Sequence, residues 1–196
     1  MAYDRYPWAQ RYGWLQDKYG LSWQLSWSDH HKLSQKITPL LMFTGDKAGK
    51  TKEAIETYTG IFPNSKIEMA IPYTKDDNDQ EGFIKHARFT LAGQNFMAMD
   101  SSGPHDFNFN EAISFVVNCE TQEEIDHYWS RLSAVPEAEQ CGWLKDSYGV
   151  SWQIVSTIMN ELMTSGNKEK IARVTQAFLK MKKFDIAKLK EAAETS

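Results

Sequence analysis

Cys141-Gly-Trp-Leu-Lys-Asp-Ser-Tyr-Gly-Val-Ser-Trp-Gln-Ile154 repeats, at nine of its fourteen positions, the stretch Tyr12-Gly-Trp-Leu-Gln-Asp-Lys-Tyr-Gly-Leu-Ser-Trp-Gln-Leu25. Each copy reads as a β-hairpin: an apolar strand, an Asp-x-Tyr-Gly turn in which Gly20 or Gly149 takes positive φ, and a second strand alternating Ser, Trp, Gln and an aliphatic residue. The copies lie 129 residues apart, about one domain length and far beyond a solenoid period. The first copy therefore reads as the closing hairpin of a preceding, mostly absent domain, and the second as the closing hairpin of the main one.

Between the two copies the pattern alternates in a consistent order. Ile37 to Phe43 is a short apolar run interrupted by Pro39, a strand at an edge or bulge. Lys47 to Phe62 carries a helical stripe of Ala54, Ile55, Tyr58, Ile61 and Phe62 that stops at Pro63. Lys66 to Tyr73, Phe83 to Ala92 and Asn95 to Asp100 are strand-like, with a solvated loop at Asp76 to Gln80 and a tight turn at Ala92 to Asn95. The order β-α-β-β-β then begins again. Ile113 to Cys119 reads as a strand. Thr121 to Leu132 reads as a helix with a capping box from Thr121 and Glu124 and a buried stripe of Ile125, Tyr128, Trp129 and Leu132. Glu137 to Asp146 and Val150 to Val155 supply the closing strands. Thr157 to Met163, Asn167 to Met181 and Asp185 to Ala193 are helical, with Asn167 and Asp185 as N-caps and Gly166 as a breaker. The fold class is α+β: paired βαβββ modules with an N-terminal extra hairpin and C-terminal helices. The expected boundaries are 1–29 for the extra hairpin, 30–35 for a linker, 36–156 for the main domain and 157–196 for the helical tail.

Composition excludes several classes. The 196 residues carry 22 Lys and Arg against 26 Asp and Glu, a net charge of -4 that provides no basic field for nucleic acid. No apolar run is long enough to span a bilayer. The cysteines, Cys119 and Cys141, are too few for a disulfide framework, and Met1 to Gln10 lacks the pattern of a secretion signal, so a reducing cytoplasm is expected. Aromatic residues make up 13 %, a density that fits a large packed interface or a cleft with flat walls.

No local motif spells out catalysis. Gly45-Asp-Lys-Ala-Gly-Lys-Thr51 lies between strand and helix, where a phosphate loop belongs, but has three residues between its glycines instead of four and reads as a solvated start to the helix. The five histidines, His30, His31, His86, His105 and His127, have no metal-ligand spacing; His30 and His31 fall in the linker, and His127 points away from its helix's buried stripe. His86 stands out. Its strand puts Phe83, Ala87, Phe89 and Leu91 on one face and Ile84, His86, Arg88 and Thr90 on the other, a polar face that either lines a cleft or meets water. Asp100-Ser-Ser-Gly-Pro104 reads as a turn, and Glu123 and Glu124 as solvated helix charge.

Several strings together resemble a known group: Ile37 to Phe43, Tyr58 to Ser65, Gly93 to Asp100, Phe109 to Phe115, Cys119 to Asp126 and Cys141 to Ile154. They are similar to the PhnB-like proteins, also described as 3-demethylubiquinone 3-methyltransferase-like, of the vicinal-oxygen-chelate superfamily with its glyoxalases, dioxygenases and bleomycin- and fosfomycin-resistance proteins. The likeness covers residues 36 to 158. It implies paired βαβββ modules curling into a cleft, commonly in dimers. In metal-dependent relatives His, Gln or Glu side chains on the first and last strands of each module hold the ion. Those strands here offer Leu40, Leu41, Met42, Phe96, Met97, Met99, Ser114, Val116 and Gln153, of which only Gln153 can coordinate, too little for a divalent cation. The glycine-rich turn of a parallel sheet that binds S-adenosylmethionine in common methyltransferases is also missing.

The reading is a cytoplasmic, homodimeric, cofactor-free protein that binds a small aromatic or amphipathic molecule in a cleft lined by His86, Arg88, Asp100, Ser114, Trp143 and Gln153. The alternatives are a divalent-metal enzyme of glyoxalase or dioxygenase type and a protein-interaction module. Because a free hairpin is barely stable, and Trp8, Trp14, Trp23 and Trp27 in water invite aggregation, residues 1 to 29 are expected to dock on the main domain or on a partner subunit.

Overall fold

A computed structural model describes residues 1–6, 9–27 and 35–194. Residues 30–34 of the expected linker, with His30 and His31, and also Trp8, lie outside them. The chain divides into two compact units, Met1–Ile37 and Thr38–Ser196.

The first unit is a three-stranded antiparallel sheet in the order β1 (Asp4–Tyr6), β2 (Ala9–Gln16), β3 (Ser22–Trp27). The β2–β3 hairpin is the expected one, and Gly20 holds its turn at φ +88°. Asp17 closes that turn. One carboxylate oxygen accepts from the N–H groups of Tyr19 (2.9 Å) and Leu21 (3.0 Å), and the other accepts from the Trp23 indole at 2.9 Å. Strand β1 is an addition that the sequence pattern does not announce. The terminal ammonium donates to the Trp14 carbonyl at 2.8 Å, and Tyr3 lies so close to Gly13 that a Cβ there would meet its Cα at 2.9 Å.

In the second unit β4 (Leu40–Phe43), α1 (Thr51–Ile61), β5 (Lys66–Pro72), β6 (Ile84–Leu91) and β7 (Gln94–Asp100) form the first module. Its sheet runs β4-β7-β6-β5, with the first and last strands parallel and the other pairs antiparallel. Strand β8 (Ser114–Cys119), helix α2 (Gln122–Leu132), β9 (Trp143–Lys145) and β10 (Ser151–Ser156) repeat this plan in the order β8-β10-β9, again with first and last strands parallel. The second module has three strands among the described residues. The strand expected from Glu137 is confined to Trp143–Lys145, because Pro136, which has no N–H to give to a ladder, starts a 3-10 turn over Pro136–Ala138. Helices α3 (Ile158–Met163), α4 (Lys168–Phe178) and α5 (Ile186–Glu194) follow. The mixed α+β plan of two related modules is therefore as the pattern predicts.

The caps explain where the helices begin. Thr121 and Glu124 form the predicted capping box on α2. Asn167 accepts from Lys170 N at 2.9 Å, and Asp185 from Lys188 N at 3.1 Å. Both modules share one core. Leu144, Trp152 and Ile154 from the second sheet and Ala87, Phe89, Leu91, Phe96 and Ala98 from the first are buried in it. Phe62 of the chain just after α1 stacks on Trp152 (5.4 Å, 28°) and on Tyr128 of α2 (5.0 Å, 25°), and Phe96 meets Phe115 edge-on at 5.2 Å. Among the described residues no helix is long and apolar enough to cross a membrane.

Candidate functional site

The alternation on β6 holds at the centre of the strand, while Ile84 and Thr90 at the two ends of the predicted polar face are buried. Ala87, Phe89 and Leu91 turn to the core, while His86 is half-buried and Arg88 exposed on the opposite side. In the ladder His86 lies opposite Ile71, and Arg88 between Met69 and Met97, so the two polar side chains project from a surface of thioethers and an aliphatic side chain. Burial, and after it the neighbouring Arg88 charge, lower the His86 pKa, so the ring is neutral at neutral pH. A neutral imidazole offers one donor and one acceptor.

A second group forms on the other sheet. Gln153 and Trp143 face each other in the β9–β10 register, and the Gln153 amide donates to Ser114 Oγ at 2.8 Å. All three side chains are partly buried. Ser114, Trp143 and Gln153 thus come together, while His86 and Arg88 make a separate pair on the first sheet.

Asp100 belongs with neither group. It ends β7 opposite Phe43, completely buried. One carboxylate oxygen accepts from the N–H groups of Gly49 (2.8 Å) and Thr51 (3.2 Å), and the other from Ile84 N at 2.8 Å. The carboxylate thus occupies the start of α1, where unpaired N–H groups and the helix dipole favour negative charge, and ties that helix to the head of β6. This corrects one reading: Asp100 is a structural anchor instead of a cleft residue. The Gly45–Thr51 segment keeps the solvated outer side expected of it, with Gly45, Asp46, Gly49 and Lys50 exposed, while the inward N–H groups of Gly49 and Thr51 are held by that carboxylate.

The polar cluster that sequence reasoning missed centres on Asp146. Its Oδ1 accepts from Tyr148 N and Val150 N, both at 2.9 Å, and its Oδ2 from the Tyr58 hydroxyl (2.7 Å) and the Trp152 indole (2.8 Å). Tyr148 carries the tie further, its hydroxyl lying 3.0 Å from Thr57 Oγ1 and 3.1 Å from Glu53 Oε1. Desolvation outweighs these bonds and raises the Asp146 pKa, and burial with the adjacent carboxylate raises Tyr58 well above its ordinary value. The recurring Asp and Trp of the repeat were the available signal, but a turn explained the Asp and nothing local pointed to Tyr58. With four donors on one carboxylate and no open approach, the cluster holds the hairpin to α1.

His127 is not idle on the solvent side, since its Nε2 lies 3.1 Å from the Ile61 carbonyl and links α2 to the end of α1. Around it Gly60, Pro63, Glu123 and Tyr128 line a shallow groove of about 460 Å³ on the helical side, away from both polar groups. His105 Nε2 lies 2.9 Å from Ser101 Oγ in the loop after β7. Burial pushes the Cys119 thiol up to about 12, so it is inert as a nucleophile. Among the described residues no three His, Cys, Asp or Glu side chains come together to hold a metal. His86 on one sheet and the Gln153–Ser114 pair on the other do not fit a divalent ion, which takes several oxygen or imidazole donors converging on one point.

Residues 35–155 match the family model described as 3-demethylubiquinone-9 3-methyltransferase. A Bacillus cereus structure described as a 3-demethylubiquinone-9 3-methyltransferase, PhnB protein, is 41% identical over 63% of this chain and 100% of its own, with a TM-score of 0.55. A Pseudomonas aeruginosa protein of known structure is 21% identical over 63% of this chain and 98% of its own, with a TM-score of 0.50. A fosfomycin resistance protein from Listeria monocytogenes is 15% identical over 66% of this chain and 97% of its own, with a TM-score of 0.42. No curated protein matches.

Proposed function

This chain belongs to the 3-demethylubiquinone-9 3-methyltransferase family, the PhnB-like group within the vicinal-oxygen-chelate superfamily, and on that premise we propose that it binds a small aromatic or amphipathic molecule without a metal ion. The observation that carries this reading is the facing pair Trp143 and Gln153, with the Gln153 amide oriented by Ser114. A flat apolar ring beside a fixed carbonyl and amide is the combination that holds a planar molecule and reads one polar edge of it. His86, neutral and set among Met69, Met97 and Ile71, and Arg88 beside it offer a second polar anchor on an apolar surface for an anionic or hydroxylated group.

The family's name refers to a methyl transfer. Our reading stops at binding, because the start of α1, the strand-to-helix turn where a cofactor's phosphate or carboxylate is usually received, is taken by Asp100. A homodimer belongs to the same reading. Strand β5 is a sheet edge with Ile67 exposed on it, an edge of the kind that a second copy covers. Two free cysteines fit a reducing, cytoplasmic setting.

Thermal unfolding with a panel of aromatic acids, quinones and phenols, and separately with Ni²⁺, Zn²⁺, Mn²⁺ and Fe²⁺, tests the reading. A ligand that binds only the folded chain raises its melting temperature. An organic ligand whose shift disappears in Gln153→Ala and Trp143→Ala supports the proposal. A stoichiometric metal with a clear shift, and no organic ligand, overturns it in favour of a metal-dependent enzyme.

A further inference from the structure

The two copies of the repeat fold alike and differ in what lies against them. Asp17 grips Tyr19 N, Leu21 N and the Trp23 indole just as Asp146 grips Tyr148 N, Val150 N and the Trp152 indole. In the second unit this hairpin sits in a seat with three parts. The parallel strand β8 pairs with the free edge of β10. Tyr58 of α1 donates to the Asp side chain, and Thr57 and Glu53 bond the hairpin's tyrosine. Phe62 and Tyr58 cover the tryptophan.

In the first unit the matching side chains are exposed. Among the described residues strand β3, the counterpart of β10, ends its sheet. Tyr19 is 83% exposed where Tyr148 is 5% exposed, and Leu15, Leu21 and Leu25 are exposed where Leu144, Val150 and Ile154 are buried. The family model begins at residue 35 and leaves this hairpin outside. A hairpin with a preformed Asp-Trp clip, an apolar face and an open strand edge has the same complement as its twin.

We propose that residues 9–27 are a docking element for a separate polypeptide of the same fold, one that presents an α1-type helix with the spacing of Glu53, Thr57, Tyr58 and Phe62 and a β8-type strand, and has no closing hairpin of its own. The hairpin adds its β3 edge in parallel to that strand, sets Trp23 against the helix's tyrosine and phenylalanine, and takes the tyrosine hydroxyl on Asp17. An intact second copy of this chain is not that partner, because Tyr148, Val150, Trp152 and Ile154 already fill its seat.

A surrogate seat tests this. The acceptor is the full chain, isotope-labelled, with Trp23→Ala to disable its own first hairpin and Asp146→Ala and Tyr148→Ala to loosen the resident one. The donor is the full chain with a photo-crosslinking residue at position 19. Cross-links from position 19 to residues 53–62 of the acceptor are expected, reduced at least tenfold when the donor also carries Trp23→Ala and when the acceptor keeps its native hairpin. Cross-links elsewhere, or equal yield with the native acceptor, overturn the proposal. Should the loosened acceptor fail to fold, a second full-length variant decides: C141Y, K145Q, S147K, V150L and I154L place the first hairpin's sequence in the seat. Cooperative unfolding within a few degrees of the parent supports the fit, and loss of cooperative unfolding overturns it.

Discussion

The hairpin at residues 12–25 and the hairpin at residues 141–154 share their turn, their Asp-Trp clip and most of their side chains, yet one is a buried keystone and the other an exposed ribbon. The difference shows that the repeat encodes local geometry alone. The Asx turn forms wherever Asp precedes x-Tyr-Gly, because its bonds all lie within four residues and the indole bond within six. What the neighbourhood adds is dryness, and dryness changes the sign and size of each contribution.

The widest contrast is expected at the paired tryptophans. Trp152→Ala empties a site enclosed by Tyr58, Phe62 and Phe115 and lowers the stability of the second unit by about 3–5 kcal/mol, whereas Trp23→Ala leaves the main chemical-denaturation transition within about 0.5 kcal/mol of the parent. Equal losses at the two positions would show that the hairpins are not energetically distinct. A smaller effect follows at Tyr58→Phe, which keeps the ring and removes one donor from Asp146. A loss of about 1–3 kcal/mol in the same assay is expected, since a buried carboxylate is left short of a partner.

The least costly contrast, and the sharpest, is in the carboxyl titrations. The Trp23 indole and the turn N–H groups lower the Asp17 pKa, so its contribution is present above the unfolded value and is lost as pH falls through the folded one. Desolvation raises Asp146, so its contribution is fully present below the unfolded value and is lost as pH rises through the folded one. Carbon-detected NMR between pH 2 and 7 is expected to put the two midpoints on opposite sides of the ordinary aspartate value. Midpoints on the same side would mean that the second hairpin is wetter than its burial implies.

Legibility followed range. The hairpins, the capping box of Thr121 and Glu124, the caps at Asn167 and Asp185 and the alternation on β6 were readable because each depends on residues a few positions apart. Strand β9 is shorter than the pattern predicts, because the 3-10 turn at Pro136–Ala138 and the positive φ of Cys141 and Gly142 hold the chain out of the ladder until Trp143. Asp100 reads from the sequence as a site residue and is a structural anchor. Its partners are backbone groups 16 to 51 positions away, and a backbone N–H carries no residue-type signature. Of the candidate site, the grouping of Ser114, Trp143 and Gln153 follows from the parallel register of β8 and β10, and that register is a property of topology that a strand's own pattern does not reveal.

That parallel pairing has a consequence for how the polypeptide is made. Leu40 finds its ladder partner at Met97, and Ser114 finds its partner at Ser151, so in each module the opening strand is the first to leave the ribosome and must wait for the final strand before any neighbour can hold it. The emergence of Gln94–Asp100 from the ribosome is therefore the moment at which the first half of the domain can close, and a nascent chain that stalls before it leaves Leu40–Phe43 without a ladder partner, a target for chaperones.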